Sequence, residues 1–240
     1  MEQLPASEPK PLTVAMLIYP GMTLIDFAGP QLALGLHGKT HHVWKTLEPV
    51  VSDTGVSVNP TDTYGTCPRD VDVLFVGGAT DPAWLMEDRE TMDFLVDVAR
   101  SARYVTSVCT GSLLLGAAGL LDGYKSSCHW AYIDALRALG VDATDDRITK
   151  DRNRLSGGGA TAGVDYGIAM LAELRGESVA KVTQLIMQYA PEPPFVGGSP
   201  RLAEAEVTKI ATDILAPFVA EGIRIATSVG RERKERAVAA

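Results

Sequence analysis

The chain is poor in the residues that most scaffold and cofactor chemistries need. Of 240 residues only three are cysteines, Cys67, Cys109 and Cys128, and no two stand in a C-x-x-C spacing. An odd, scattered set argues against a disulfide framework and a zinc site, and fits a reducing compartment. Basic residues are outnumbered: 22 Lys and Arg against 30 Asp and Glu leave a net charge of −8. Phosphate binding needs the opposite balance, which argues against nucleic acid as the main partner. No apolar run reaches membrane-spanning length, so no membrane partner is expected. The amino-terminal Met1-Glu-Gln-Leu-Pro-Ala lacks the blocks of a signal peptide, and a cytoplasmic location is expected. There is no G-x-G-x-x-G, no Walker lysine, no internal repeat and no low-complexity block. What remains, at 46% hydrophobic and 22% charged, is ordinary for a globular chain with a well-buried core.

Buried strands alternate with helices along the chain. Residues 1–11 are polar and proline-rich and read as a loose tail. Leu12 to Tyr19 is a continuous apolar run, the pattern of a strand covered on both faces. Pro20-Gly21 turns the chain into a helix reaching about His37. A second strand is expected over His42 to Leu47, with His41 and His42 as surface residues, and a small hairpin over Val50 to Val58. Val71 to Val76 is the next buried strand, ending in Gly77-Gly78, and an amphipathic helix follows over Arg89 to Ser101. Further on come a strand at Lys125 to Cys128, a helix from about Trp130, and an exposed hairpin over Arg147 to Leu155. Helices close the chain at Val164 to Leu174, Ser178 to Tyr189, and Glu204 to about Ser228, the last interrupted at Pro217. This alternation implies a mostly parallel sheet with helices on both faces. One α/β domain over residues 12–200, with a helical extension over 201–240, is the expected organisation.

The organising stretch is Tyr104-Val-Thr-Ser-Val-Cys109-Thr-Gly-Ser-Leu-Leu-Leu. A β-branched run gives way to a small-residue and leucine run, leaving Cys109, Thr110 and Gly111 as a tight strand-to-helix turn. The arrangement is that of a nucleophile elbow with sulfur in place of oxygen. Placed at a helix amino terminus, the thiol is expected to have a lowered pKa. The alternative is a small buried hydrophobe, the usual fate of a free cysteine. Asp26, alone in an apolar stretch beyond the first strand, reads either as a helix cap or as a carboxylate delivered to Cys109. Gly77-Gly78 is a simple turn, or else it lets the Gly78 or Ala79 amide complete an oxyanion-type hole with the Thr110 amide. His129 reads first as a packed core residue and second as a catalyst. Gly157-Gly158-Gly159 passes the backbone close to a compact site, with Thr161 as a helix N-cap and Asp165 in the first turn.

These motifs resemble the ThiJ/PfpI superfamily. The resemblance lies in Tyr104 to Ser112, in His129-Trp-Ala-Tyr, in Gly157-Gly-Gly-Ala-Thr-Ala-Gly163 and in Tyr189-Ala-Pro-Glu-Pro-Pro-Phe195. The resemblance is strongest to the isonitrile hydratase branch. It implies a flavodoxin-like three-layer sandwich, a homodimer, no metal or organic cofactor, and hydration of an isonitrile to the N-substituted formamide. Carried over by position, Cys109 matches the nucleophile, Asp26 the acid beside it, and Thr110 the residue that follows. Many superfamily members place glutamate at the Asp26 position. Gly78, Ala79, Gly159, Ala160 and His129 are the positions expected to line the pocket, and Ala160 departs from a bulkier residue of that branch. The alternatives are glyoxalase or deglycase chemistry on 2-oxoaldehydes, and a ligand or redox sensor.

Overall fold

The structure is a computed structural model that describes residues 10–239. Most of the tail read over residues 1–11 therefore lies outside the described residues. Chain order runs β1 (Leu12–Leu17), α1 (Leu24–Gly35), β2 (Gly38–Trp44), β3 (Val50–Val51), β4 (Ser57–Val58), β5 (Asp62–Thr63), β6 (Val73–Val76), α2 (Ala83–Met86), α3 (Arg89–Ala99), β7 (Tyr104–Val108) and α4 (Gly111–Ala117). It continues with β8 (Lys125–Ser127), a 3-10 turn (Trp130–Tyr132), α5 (Ile133–Ala138), β9 (Asp142–Thr144), β10 (Ile148–Asp151), β11 (Arg154–Gly157), α6 (Ala162–Arg175), α7 (Glu177–Ile186) and α8 (Ala205–Ala239).

The central sheet has the order β10-β11-β7-β6-β1-β2-β5 and is parallel except at β10. Its inner strands are the apolar runs of the sequence. Val14, Met16, Leu17, Val73, Leu74, Phe75, Val76 and Val108 are all buried, as a sheet covered on both faces requires. Helices α1, α6 and α7 form one layer, and α2, α4, α5 and α8 pack together as another. This is a flavodoxin-like α/β fold. The chain leaves β1 toward β2 on one side and returns to β6 on the other, so a topological switch point lies between β1 and β6. Ligands in such sheets bind at the carboxyl ends of the strands beside that point.

Four expectations need correction. The second strand spans Gly38–Trp44, because parallel pairing with β1 sets its start at Gly38 opposite Leu12. His41 is buried rather than on the surface, and its Nδ1 lies 2.7 Å from Asp62 Oδ2, which satisfies the ring inside. The hairpin around Asn153 is not merely exposed: β11 pairs in parallel with β7 and joins the main sheet, burying Leu155, Ser156 and Gly157. Pro217 does not interrupt the last helix, which runs unbroken from Ala205 to Ala239. Around Pro217 that helix is solvent-exposed, so the carbonyl that loses its partner is free to bond water.

Candidate active site

Three chain segments converge at the carboxyl edge beside the switch point: the start of α1 after β1, the Gly77–Ala79 turn after β6, and the elbow after β7. At the elbow Cys109 has φ +59°, the left-handed region that a non-glycine residue occupies only under local constraint. The backbone is held there from both sides. The Cys109 amide donates to the Gly157 carbonyl at 3.0 Å, and Ser112 Oγ donates to the Cys109 carbonyl at 3.0 Å. Gly111 makes the turn possible, since a Cβ there would stand 2.1 Å from the Val76 carbonyl oxygen. The thiol is thereby fixed, and only 6% of Cys109 is exposed.

Asp26 lies in the first turn of α1 and is fully buried. Its carboxyl lies beside the Cys109 thiol, and its Oδ2 accepts the Gly78 amide at 2.8 Å, while Oδ1 is buried without a protein partner. Burial disfavours the carboxylate and pushes the pKa of Asp26 from 3.8 to about 7, against the opposing pull of the Gly78 amide and the Cys109 thiol. The expectation of a lowered thiol pKa is overturned. Burial first, and the neighbouring Asp26 second, push the Cys109 thiol well above its ordinary range, although the Thr110 amide favours the thiolate. The two-turn helix α4 does not outweigh that desolvation. Above about pH 7 the Cys109–Asp26 pair therefore holds one proton, on the sulfur, and below it Asp26 is protonated as well.

The oxyanion-type hole expected from Gly78 or Ala79 is also not formed by those amides. Gly78 donates to Asp26, and the Ala79 amide donates to Thr110 Oγ1 at 2.8 Å. Thr110 Oγ1 in turn donates to the Ala79 carbonyl at 2.7 Å. The Thr110 hydroxyl thus ties the β6 turn to the elbow rather than facing the sulfur, while its amide faces the sulfur. A Cβ at Gly78 would lie 2.6 Å from the Thr110 amide nitrogen and 2.9 Å from Asp26 Oδ2, so a glycine is required where these three segments meet.

The remaining candidates form an outer tier. His129 caps the 3-10 turn, its Nδ1 accepting the Ala131 amide at 3.3 Å, and burial lowers its pKa. Gly159 faces the His129 ring, and Ala160 sits half-buried in the turn before α6. Thr161 occupies the N-cap position of α6 without a side-chain cap; its hydroxyl accepts Arg147 Nη1 at 3.0 Å instead. Cys128 and Cys67 are buried and free, both with pKa raised by burial. Two residues beside the thiol were not picked out from sequence. Ser112 lies against both the Cys109 carbonyl and Cys128, and Tyr19 lies close to Asp26 and Cys109. A hydroxyl ending an apolar strand at its carboxyl edge was the available signal for Tyr19. Among the described residues no cluster of His, Cys, Asp and Glu could hold a metal ion.

Residues 12–173 match the DJ-1/PfpI family. The chain belongs to the DJ-1/PfpI family. Within it, the chain is 45% identical over 208 residues to an isonitrile hydratase of Pseudomonas putida, an alignment covering 86% of this chain and 91% of that one. A crystal structure of a ThiJ/PfpI family protein from Pseudomonas syringae superimposes with a TM-score of 0.89 at 45% identity, covering 91% of this chain and 92% of that chain. More distantly, the chain is 28% identical to the HTH-type transcriptional regulator GbdR of Pseudomonas aeruginosa, over 97% of this chain and 69% of the regulator. Among the described residues no helix is long and apolar enough to cross a membrane.

Proposed function

We propose that this DJ-1/PfpI family member is an enzyme that hydrates isonitriles to N-substituted formamides, with Cys109 as nucleophile and Asp26 as proton carrier. The observation that carries the reading is the buried Cys109–Asp26 pair, a thiol on a strained elbow with a desolvated carboxyl beside it whose pKa lies near 7. The similarity to the P. putida hydratase supports the same reaction class.

The chemistry follows from that proton. An isonitrile carbon accepts a nucleophile and a proton at one atom. As the Cys109 sulfur bonds to the carbon, its proton passes to the Asp26 carboxylate and from there to the same carbon, giving the thioimidate R–N=CH–S–Cys109. Asp26, ionised again, takes a proton from water as the oxygen adds to the thioimidate carbon, and the nitrogen is protonated. The C–S bond then breaks, the sulfur recovers a proton, and R–NH–CHO leaves. The net change is addition of one water to R–NC, and no external oxidant or reductant is involved. The productive state has Asp26 ionised and Cys109 protonated, so kcat/KM should rise with pH through about 7. The occupied Nδ1 of His129 weighs against glyoxalase or deglycase chemistry, which would want a histidine free to act on substrate.

The reading includes a homodimer. Val207, Ile210, Ile214 and Phe218 form an exposed apolar stripe on the first turns of α8. It also includes a reducing, cytoplasmic setting, which suits three free cysteines.

Incubating purified protein with an aryl or alkyl isonitrile and following formamide tests the reading directly. Wild type is expected to turn over and Cys109→Ala to lose at least a thousandfold. Formamide production by Cys109→Ala at the wild-type rate would overturn the assignment.

A further inference from the structure

The Gly77–Gly78 peptide is an unusual choice for holding an acid. Its N–H is the donor on Asp26 Oδ2, yet it lies between two glycines, where no side chain resists a flip of the peptide plane. A flip would turn the Gly77 carbonyl toward the carboxylate, replacing a donor by an acceptor. The β-ladder offers no restraint, because the pairing of β1 with β6 ends at Leu17 opposite Val76, one residue short of Gly77. The Gly77 carbonyl is held instead by a side chain: Tyr19 Oη donates to it at 3.0 Å.

We propose that Tyr19 is a positioning residue for the Cys109–Asp26 pair: by binding the Gly77 carbonyl it fixes the Gly77–Gly78 peptide so that the opposite end of that peptide presents its N–H to Asp26. The two hydrogen bonds share one peptide unit, so the Tyr19 hydroxyl also polarises the amide that donates to the carboxylate. Tyr19 is fully buried, and its ring lies against Trp44 and Trp84 with centroid separations of 6.5 and 6.4 Å. The ionisable groups acting on it are all acids: Asp26 from α1, Cys109 from the elbow, and Asp53 from the β3–β4 turn. Together with burial they keep the phenol neutral, and hence a donor. The other end of the segment is held separately, by the Thr23 amide on the Gly78 carbonyl at 2.8 Å, so Tyr19 controls the one peptide that faces the acid.

The proposal concerns the site read above as hydrating isonitriles, and its test does not need turnover. Tyr19→Phe keeps the ring and removes the donor. In the whole protein, the infrared band of the protonated Asp26 carboxyl, identified by its loss in Asp26→Asn, is titrated with pH. Loss of the oriented N–H is expected to raise the midpoint by about one pH unit. The ascending limb of kcat/KM is expected to move with it, with about a fivefold loss at pH 7. An unchanged midpoint in a folded Tyr19→Phe protein would reduce Tyr19 to core packing and overturn the proposal. Should Tyr19→Phe fail to fold, 3-fluorotyrosine incorporated at position 19 keeps the shape and strengthens the O–H donor. The midpoint must then fall; a midpoint that stays or rises overturns the proposal. Absence of formamide from wild type would sink the hydratase reading while leaving the infrared titration decisive for Tyr19.

Discussion

At the scale of single residues, the site is built on a carboxyl group kept where water cannot solvate it. Folding raises the Asp26 pKa from 3.8 to about 7, so between those values the folded chain binds a proton that the unfolded chain has released. Stability must then fall as pH rises across that window. The loss approaches about 4 kcal/mol at pH 8 as an upper figure from the size of the shift. Asp26→Asn removes the ionisation and keeps an acceptor for the Gly78 amide. Urea denaturation should find Asp26→Asn more stable than wild type at pH 8 and no different near pH 4. Its kcat/KM should drop at least a hundredfold and lose the ascending limb near pH 7. A wild-type stability profile in Asp26→Asn would show that the carboxyl is not desolvated in the fold. The residue identities of this pair were legible in the sequence, because a lone aspartate stood inside an apolar stretch and a cysteine directly followed an apolar strand. Their electrostatics were not. The reading that a helix terminus would lower the thiol pKa considered one favourable dipole and omitted the desolvation that depends on how deeply the elbow is buried. The expected oxyanion donors failed for a related reason: which way an amide points is decided by partners such as Thr110 and Asp26 from other segments.

Among elements, periodicity located most strands and helices, and its failures have physical causes. Arg147 to Leu155 reads as a charged surface hairpin because Arg147, Lys150, Asp151, Arg152 and Arg154 dominate it. Only the pairing of β11 with β7 reveals that its last residues extend the main sheet. Pro217 reads as a break because proline removes a helical hydrogen bond, but the cost is tolerable where the orphaned carbonyl faces water. Replacing it should restore that bond. In Pro217→Ala, hydrogen exchange of the amides from Ala205 to Ala220 is expected to slow about tenfold or more. Faster exchange would mean that the proline shapes the helix for a contact it makes elsewhere. Beyond this point α8 changes character: Ile225 and Ala226 are buried, and Gly230 lies so close to α5 that a Cβ would stand 2.5 Å from the Ala138 carbonyl oxygen.

For the molecule as a whole, the contrast between the two halves of α8 predicts association. The apolar stripe through Ile210 and Ile214 is exposed, whereas the later turns are packed. With the proposed homodimer, Ile210→Glu combined with Ile214→Glu should run as a monomer in light scattering at micromolar concentration while wild type runs as a dimer. A dimeric double variant would place the subunit interface on another face. The packed half carries Arg233, whose Nη1 donates to the Gly116 carbonyl at 2.7 Å, at the carboxyl end of the elbow helix α4. That carbonyl and Arg233 are separated by 117 positions in the chain. A ribosome adding about 5 to 20 residues per second supplies the guanidinium roughly 6 to 23 s after the helix it caps. Until then the Gly116 carbonyl has the Gly119 amide, 3.0 Å away, but not the guanidinium, so the elbow helix gains its last clamp when almost the whole chain has been made.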